Sequence, residues 1–335
     1  QTCALPICTT GATIQDLGPD QWARLSGIEF AGAGGNGLLV ENVAGSVWLD
    51  DCELSGLQPC LDARDSSTVV LQRCLVFGYD SANAPPGLAQ DGTTAVRGAR
   101  SALHLNDTFV IGGGGSGAAS TTTPAYDGGP GMLLDGGFLF TSGSHIGGGR
   151  GGAGFWELFE IDCQDGGDGG DGLQLTNGAT AVLRATHLEG GPGNTGLGLC
   201  APGIDGVALL APPGAVTTLA PFSRELTVTQ VVRPGESLAL DLDGDPDDDV
   251  LLALSVSAPA VAFKLAWSGP LLLAPNGLIV TALGRLPGGA ATLSLTAPAL
   301  PMGLEALPIH LQSVALHPSE GTVVGASSTC TLVAP

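Results

Sequence analysis

Apolar and polar residues alternate in five short segments within the first two thirds of the chain. The segments cover residues 46–56, 68–78, 102–112, 138–148 and 180–190 and align without gaps. Two columns recur in them: Leu49, Leu71, Leu105, Thr141 and Leu183, which is apolar except at Thr141, followed by the apolar column Leu54, Val76, Val110, Ile146 and Leu188. Alternation of this kind is typical of a strand with one buried face. The pattern therefore predicts short strands that share one core.

A small or polar column lies between the two apolar ones. It holds Cys52, Cys74, Thr108, Ser144 and Thr186, whose successive spacings are 22, 34, 36 and 42 residues. The columns persist although the spacing grows. Stacked coils explain this, because each coil adds one strand to each sheet and places its insertions in loops. The sequence therefore predicts an all-β solenoid of about six coils.

This repeat resembles that of the right-handed parallel β-helix proteins, the pectate-lyase-like superfamily, over residues 25–222. The resemblance rests on the column pattern and includes no catalytic motif. It implies a right-handed parallel β-helix in a secreted bacterial protein. Enzymes on this fold need converging carboxylates on an exposed sheet. Here Asp51 and Arg73 share an outward column and are expected to form an ion pair, and Trp48 and Phe109 are the aromatic residues expected on the outer face.

Four insertions account for the growing spacing, at residues 79–93, 113–130, 149–172 and 191–205. They leave from one corner of the coil, so we expect them to cluster on one side. Glycine runs such as GGGRGGAG and DGGDGGDG favour compact surface loops, with a built binding or assembly face as the alternative. Segment 155–163 contains three aromatic residues and is expected to fold back onto the coils.

The chain beyond the repeat has a different pattern. Apolar runs separated by Pro and Gly turns, without the coil columns, favour a small antiparallel β-sandwich over residues 223–335. It resembles the modules that close many repetitive secreted bacterial proteins, and it is interpreted either as a cap of the solenoid or as a sorting or attachment module. Residues 1–24 are interpreted as a separate N-terminal segment or cap.

Composition narrows the possible partners. The formal net charge of −21 argues against nucleic acid, because phosphate contacts need clustered Lys and Arg. No apolar run is long enough to span a bilayer. The chain begins with Gln and contains eight cysteines, which favours a mature secreted or cell-surface protein.

The cysteines suggest a disulfide framework. Cys52 and Cys74 occupy one column on adjacent coils, so they either form a disulfide or stack as free thiols. Cys3 with Cys8, and Cys163 with Cys200, are predicted pairs, and Cys60 and Cys330 remain unassigned. The connectivity is not determined by the sequence.

Two acidic clusters and one histidine pair are candidates for metal binding. Alternating carboxylates in DLDGDPDDD predict either a Ca²⁺ site or a solvated acidic turn; the site would use Asp241, Asp243, Asp245, Asp247 and Asp249. Asp165, Asp168 and Asp171 form a second cluster. His145 and His187 share an outward column, which favours a surface stack over a metal pair. Ca²⁺ is the one cofactor considered, and none is required.

These features predict a non-enzymatic extracellular structural protein that assembles with itself as a filament or surface layer. The N-terminal segment, the loops and the end domain are the expected contacts, and the N-terminal candidates for assembly are Cys3, Leu5, Ile7, Ile14 and Leu17. The alternative is a glycan-binding adhesin, or a polysaccharide lyase or hydrolase of the β-helix type.

Overall fold

The computed structural model describes residues 7–8, 11–19, 21–32, 35–81, 90–118, 124–154, 164–196, 200–219, 224–229, 231–256, 273, 278–300, 306–319 and 321–333. The chain divides into two compact units, Gln1–Thr218 and Leu219–Pro335. Both are built from β-strands. No helix in these described ranges has the length and apolar character that a membrane crossing requires.

The first unit is a parallel β-solenoid with three rows of strands. Row 1 is a seven-stranded sheet of β1 (Ile7–Cys8), β4 (Glu29–Gly32), β7 (Glu53–Gly56), β10 (Leu75–Gly78), β12 (Phe109–Ile111), β14 (His145–Gly147) and β17 (His187–Glu189). Row 2 contains β2 (Ala12–Gln15), β5 (Leu38–Glu41), β8 (Leu61–Arg64), β11 (Val96–Asn106), β13 (Met132–Ser142), β15 (Leu173–Thr176) and β18 (Leu209–Leu210).

Row 3 contains β3 (Trp22–Ser26), β6 (Ser46–Asp50), β9 (Thr68–Gln72), the second halves of β11 and β13, β16 (Thr180–Arg184) and β19 (Val216–Leu219). Rows 2 and 3 form one twelve-stranded sheet because β11 and β13 run through both. The first complete coil is β2–β3–β4 and the sixth is β15–β16–β17, which confirms the predicted fold and coil number.

The described part of the N-terminal segment belongs to the solenoid. β1 pairs with β4, β2 with β5 and β3 with β6, all in parallel. The interpretation of residues 1–24 as separate from the coils is therefore corrected. The patterns ATIQ and WARLS are each too short to signal a strand, and their pairing depends on the following coil.

The predicted apolar columns form the solenoid core. Leu49, Leu71, Leu105, Leu54 and Val76 are fully buried. Each buried aliphatic side chain contributes roughly 1.5–3 kcal/mol. The repeat period is thus maintained by packing between equivalent positions of successive coils.

Single residues with left-handed backbone turn the chain from row 3 into row 1. Asp51, Arg73 and Asp107 have φ angles of 54°, 51° and 47°. Gly143 occupies the equivalent corner with φ 61°. Non-glycine residues adopt this conformation infrequently, with Asn and Asp enriched among them.

The corner changes the expected ion pairing. Arg73 pairs with Asp50, and Arg24 bonds the same carboxylate at 2.8 Å. The predicted pair between Asp51 and Arg73 is wrong, because the left-handed turn at Asp51 leaves Asp50 to face the arginines. Burial raises the pKa of the Asp50 carboxyl, and the two guanidinium groups oppose that shift.

The second unit is the predicted β-sandwich. One sheet orders β20 (Glu225–Val228), β22 (Ser237–Asp243) and β25 (Ala290–Thr296). The other orders β21 (Val231–Val232), β27 (Gly321–Val333), β26 (Ala306–His317), β23 (Asp249–Ser255) and β24 (Ile279–Arg285). All described pairings are antiparallel except that of β21 with β27. Leu240 and Leu242 of one sheet pack with Leu252 and Leu311 of the other.

Candidate functional site

The glycine-rich insertions form an ordered two-layer slab. Outgoing chains leave row 1 at residues 112–118, 147–154 and 190–196. Incoming chains lead back to row 2 at residues 90–93, 126–131, 164–172 and 200–207. Every third N–H bonds the next chain of its own layer: Gly112 to Gly147, Gly115 to Arg150, Ala118 to Ala153, Gly166 to Ala201, Gly169 to Ile204 and Gly172 to Val207, at 2.8–3.0 Å. A three-residue repeat without internal hydrogen bonds is the geometry of polyproline II.

A second set of bonds joins the two layers in a zigzag ladder. The N–H groups donate from Gly129 to Gly113, from Gly149 to Gly129, from Gly170 to Gly149, from Gly191 to Gly170 and from Gly206 to Gly191, at 2.7–2.9 Å. Each chain therefore bonds neighbours on two of its three sides, and the third side faces outward.

Glycine is required on the inward sides of these chains. A Cβ on Gly149 would lie 1.9 Å from the Gly113 oxygen, and one on Gly170 would lie 2.1 Å from the Gly129 oxygen. No side chain fits at such distances. The prediction of compact loops is thus replaced by a hydrogen-bonded slab. The sequence signal for it is the period-three spacing of residues such as Asp165, Asp168 and Asp171 between glycine pairs.

Aspartates cover the outer face of the incoming layer. The Asp127 N–H donates to Asp91 Oδ1 at 3.1 Å, the Asp168 N–H to Asp127 Oδ1 at 2.8 Å, and the Ile204 N–H to Asp168 Oδ1 at 2.7 Å. Each carboxylate thus satisfies an outward N–H that the slab leaves unpaired.

The second candidate metal cluster, Asp165, Asp168 and Asp171, has the same role of accepting outward N–H groups. Asp165 accepts the Ala201 N–H at 2.7 Å, and Asp171 accepts the Val207 N–H at 2.8 Å. Across the described residues, no three His, Cys, Asp or Glu side chains are gathered to hold a metal ion. This cluster of aspartates is therefore a structural ladder.

The last incoming chain ends the slab. Pro202 stands where the preceding chain has Gly166, a donor to the next chain, and proline has no N–H to donate. Asp205 stands at the next such position, and its carboxylate accepts the Gly193 N–H at 2.8 Å. Pro202 and Asp205 therefore protect the slab edge in the way that proline and charged residues protect the edges of β-sheets.

An aromatic row crosses the outer face of row 1. The Phe77 and Phe109 ring centroids are 6.0 Å apart, those of Phe109 and His145 are 4.7 Å apart, and those of His145 and His187 are 5.0 Å apart. The predicted stack of His145 and His187 is confirmed. Glu189 lies 3.1 Å from His145 Nε2 and 3.5 Å from His187 Nε2.

A separate groove lies on the outgoing layer of the slab. Its volume is about 470 Å³, and its lining includes Asp80, Gly114, Gly117, Arg150 and Asn194. The Arg150 guanidinium donates to Asn194 Oδ1 at 3.1 Å. The groove exists because the chain 112–118 has glycine at its outward positions.

The row 3 face differs from expectation at Trp48. Its side chain is fully buried rather than exposed, whereas Phe109 is 38% exposed as expected. His104 shares the buried column and lies 6.0 Å from the Phe138 ring and 6.2 Å from the Phe140 ring. Burial lowers the pKa of His104 to about 4, and neither ring nitrogen has a hydrogen-bond partner in the described residues.

Four cysteines in the described part of the chain are reduced. Cys52, Cys60, Cys74 and Cys330 are buried free thiols, so Cys52 and Cys74 stack without a disulfide. Burial raises the pKa of the Cys60 thiol to about 12. Cys200 is disulfide-bonded. Cys3, Cys163 and the side chain of Cys8 lie outside the described residues, so the two predicted pairings that contain them stay predictions.

The carboxylates of the acidic turn in the second unit make separate contacts with different partners. Asp241 accepts the Thr292 hydroxyl at 2.7 Å, and Asp245 and Asp247 lie 3.8 Å from His317 and Arg285. The buried residue of the run is Asp248, which Arg224 contacts at 2.6 Å and 2.7 Å. The structure does not bring Asp241, Asp243, Asp245, Asp247 and Asp249 together, whereas the Arg224–Asp248 pair was not foreseen.

The predicted N-terminal assembly residues line the first coil. Ile14 and Leu17 pack against the solenoid core, and Ile7 pairs with Glu29 on β4. Cys3 and Leu5 lie outside the described residues. These contacts place the described candidates at one open end of the solenoid.

Comparisons with known proteins identify no family. No family model matches the chain, and no curated protein matches it. One similar solved structure is the superoxide reductase (neelaredoxin) from Ignicoccus hospitalis, at 10% identity over 32% of this chain and 78% of the other, with a TM-score of 0.18. A likeness at that TM-score carries no argument about fold or function.

Proposed function

We propose that this chain is a non-enzymatic extracellular structural protein that assembles end to end through the open ends of its solenoid. The observation that carries the proposal is that the interior columns reach both ends, where strands are paired on one side only among the described residues. Unpaired strand edges are templates for pairing with another chain.

The N-terminal end supports an edge contact. β1, β2 and β3 are each the first strand of their row in the described chain. Ala12, Ile14 and Leu25 are only partly buried although they belong to interior columns. A further coil stacked on them would complete their burial.

The C-terminal end of the solenoid has an exposed interior residue that could stack on the N-terminal end of a second copy. Leu209 continues the interior column of Leu173, and it is 38% exposed. In a second copy, Ala12 is the residue that would follow Leu209 in the column, because Ala12 precedes Leu38 there.

An extracellular location is supported by chemistry of the chain. Cys200 forms a disulfide, which persists in oxidising compartments. The sequence has a single lysine, Lys264, which limits cleavage by trypsin-like proteases. The net charge of −21 favours solubility before assembly.

The test is the association state of the full chain. Sedimentation velocity over a wide concentration range, with negative-stain microscopy, is expected to show linear oligomers that grow with concentration. Leu209→Asp should weaken association at least tenfold, whereas Leu316→Asp should not, since Leu316 is a similarly exposed residue of the second unit at 41%. Monomers at every concentration, or equal effects of the two variants, would contradict the proposal.

A further inference from the structure

We infer that the last incoming chain of the slab is a docking site for a basic peptide segment in the polyproline II conformation. The site is an apolar strip on the outer face of the incoming layer, formed by the exposed residues Ala201, Ile204, Val207 and Leu210. It is independent of the proposed end-to-end assembly. Only residues 33–37 connect β4 to β5 in the first coil, so a second copy stacked there has no slab chain to cover the apolar strip.

The apolar strip interrupts the aspartate pattern of this face. Apolar residues stand where the preceding incoming chain has aspartate: Ala201 beside Asp165, Ile204 beside Asp168 and Val207 beside Asp171. Each donates its N–H to the aspartate beside it, at 2.7–2.8 Å. Asp127 and Asp168 donate in the same way to the aspartate of the chain before them. The last chain thus keeps the alignment of the slab and replaces its outward carboxylates with apolar side chains.

Three large apolar side chains of the strip are open to solvent. Ile204 is 73% exposed, Val207 48% and Leu210 52%. Leu210 extends the strip into β18, where it lies beside Gln174 on the outer face while Leu209 continues the interior column. A contiguous row of exposed apolar side chains marks a contact site for another molecule.

The spacing of the strip selects the conformation of its partner. The chain 200–207 has the three-residue repeat of polyproline II, so its outward side chains recur about every 9.3 Å. A partner in the same conformation presents every third side chain at the same interval. A β-strand presents side chains on one face about every 6.6–6.8 Å and an α-helix about every 5.4 Å, so neither stays in register with the strip.

The charge beside the strip selects a basic partner. Asp165 and Asp168 accept the N–H groups of the last chain through Oδ1. Their second oxygen, Oδ2, has no hydrogen-bond partner in the described parts of the chain. Lys or Arg side chains next to the apolar residues of a peptide would reach these oxygens and form charge-assisted hydrogen bonds. A peptide with an apolar residue at every third position and a basic residue beside it therefore matches both features.

A second copy and a membrane match the strip less well. Two strips in contact would bring the carboxylates of Asp165, Asp168 and Asp171 from both copies together, and like charges repel at short range. The net charge of −21 opposes approach to an anionic bilayer.

Defined peptides test the inference. Fluorescence anisotropy with labelled twelve-residue peptides, at about 0.15 M salt, compares four repeats of Leu-Pro-Lys with two controls: the same composition in scrambled order, and four repeats of Leu-Pro-Glu. We expect the Leu-Pro-Lys repeat to bind at least tenfold more tightly than either control. Equal binding of the scrambled peptide would indicate attraction by charge alone and would overturn the inference, as would no binding of the Leu-Pro-Lys repeat.

Matched variants locate the site. Ile204→Asp continues the carboxylate column of Asp127 and Asp168, so the slab accommodates it, and it should weaken binding at least tenfold with an unchanged circular dichroism spectrum. Ile279→Asp is the control, because Ile279 of the second unit is 64% exposed and the change in charge is the same. Asp168→Asn keeps an acceptor for the Ile204 N–H but removes the charge, so it should weaken binding several-fold, whereas Asp127→Asn should not. Equal affinities of Ile204→Asp and Ile279→Asp would refute the site.

The other occupants are tested with the same variant. Ile204→Asp should leave the self-association of the chain unchanged in sedimentation velocity, and neither the parent nor the variant should float with vesicles of zwitterionic phosphatidylcholine. Reduced self-association in Ile204→Asp would assign the strip to a second copy. Vesicle binding that Ile204→Asp abolishes would assign it to a lipid surface, and either result would overturn the inference.

Discussion

A single methyl group at Gly170 should disrupt the slab. The Cβ of Gly170→Ala would stand 2.1 Å from the Gly129 carbonyl oxygen, which is about 1.3 Å short of ordinary van der Waals contact. The neighbouring chain cannot yield by a rotamer change, because the obstacle is backbone. One of the two chains must move away from the other.

The cost of that movement follows from the ladder. Gly170 donates to Gly149 at 2.8 Å and accepts from Gly191 at 2.7 Å, and Gly149 donates to Gly129 at 2.8 Å. Each bond contributes roughly 0.5–1.5 kcal/mol. The reduced freedom of the unfolded chain returns about 0.4–1 kcal/mol to an alanine variant. The expected net loss of unfolding free energy is therefore about 2–3 kcal/mol.

Urea unfolding of the full chain, followed by circular dichroism, measures this loss. Gly35→Ala is the control, because nothing lies within 4 Å of its Cβ, and we expect it to match the parent within about 0.5 kcal/mol. If Gly170→Ala unfolds at the same urea concentration as Gly35→Ala, the packing account of the slab is refuted.

Three further outcomes are expected. Burial lowers the pKa of His104 from its ordinary value of about 6.5 to about 4 in the folded chain, so the unfolded chain binds more protons between those two values. Stability should therefore fall by up to about 3 kcal/mol as the pH drops through that window. His104→Leu should reduce this slope in urea titrations at several pH values. Arg224→Met leaves Asp248 buried without its partner and should cost about 3–5 kcal/mol, with much of the loss recovered by adding Asp248→Asn. Pro202→Gly with Asp205→Gly should unblock the slab edge and increase self-association in sedimentation velocity; an unchanged profile would contradict edge protection.

The solenoid was predictable because its signal repeats. In a column such as Leu49, Leu71 and Leu105, the same buried position recurs in successive coils. Alternation of apolar and polar residues along a strand indicates which side chains are buried. The first coil was missed because β2 and β3 are short and show no column until they are paired with β5 and β6. Trp48 was misjudged because a strand pattern gives the direction of a side chain and not what covers it.

The slab was missed for a different reason. Glycine-rich sequence was interpreted as loop because glycine lacks a side chain that could mark a buried face. The information lies in the period of three, in which Asp165, Asp168 and Asp171 mark the outward side. The positions of Pro202 at the slab edge and of Gly117 in the groove can be identified only once the chains are aligned with each other.

Residue-resolved amide hydrogen exchange by NMR distinguishes a hydrogen-bonded slab from open loops. We expect protection with a period of three along the slab: slow exchange at the bonded amides of Gly149, Gly151 and Gly152, and fast exchange at the outward amides of Arg150 and Ala153. Uniformly fast exchange across residues 147–154, with protection confined to the strands of the solenoid, would contradict it.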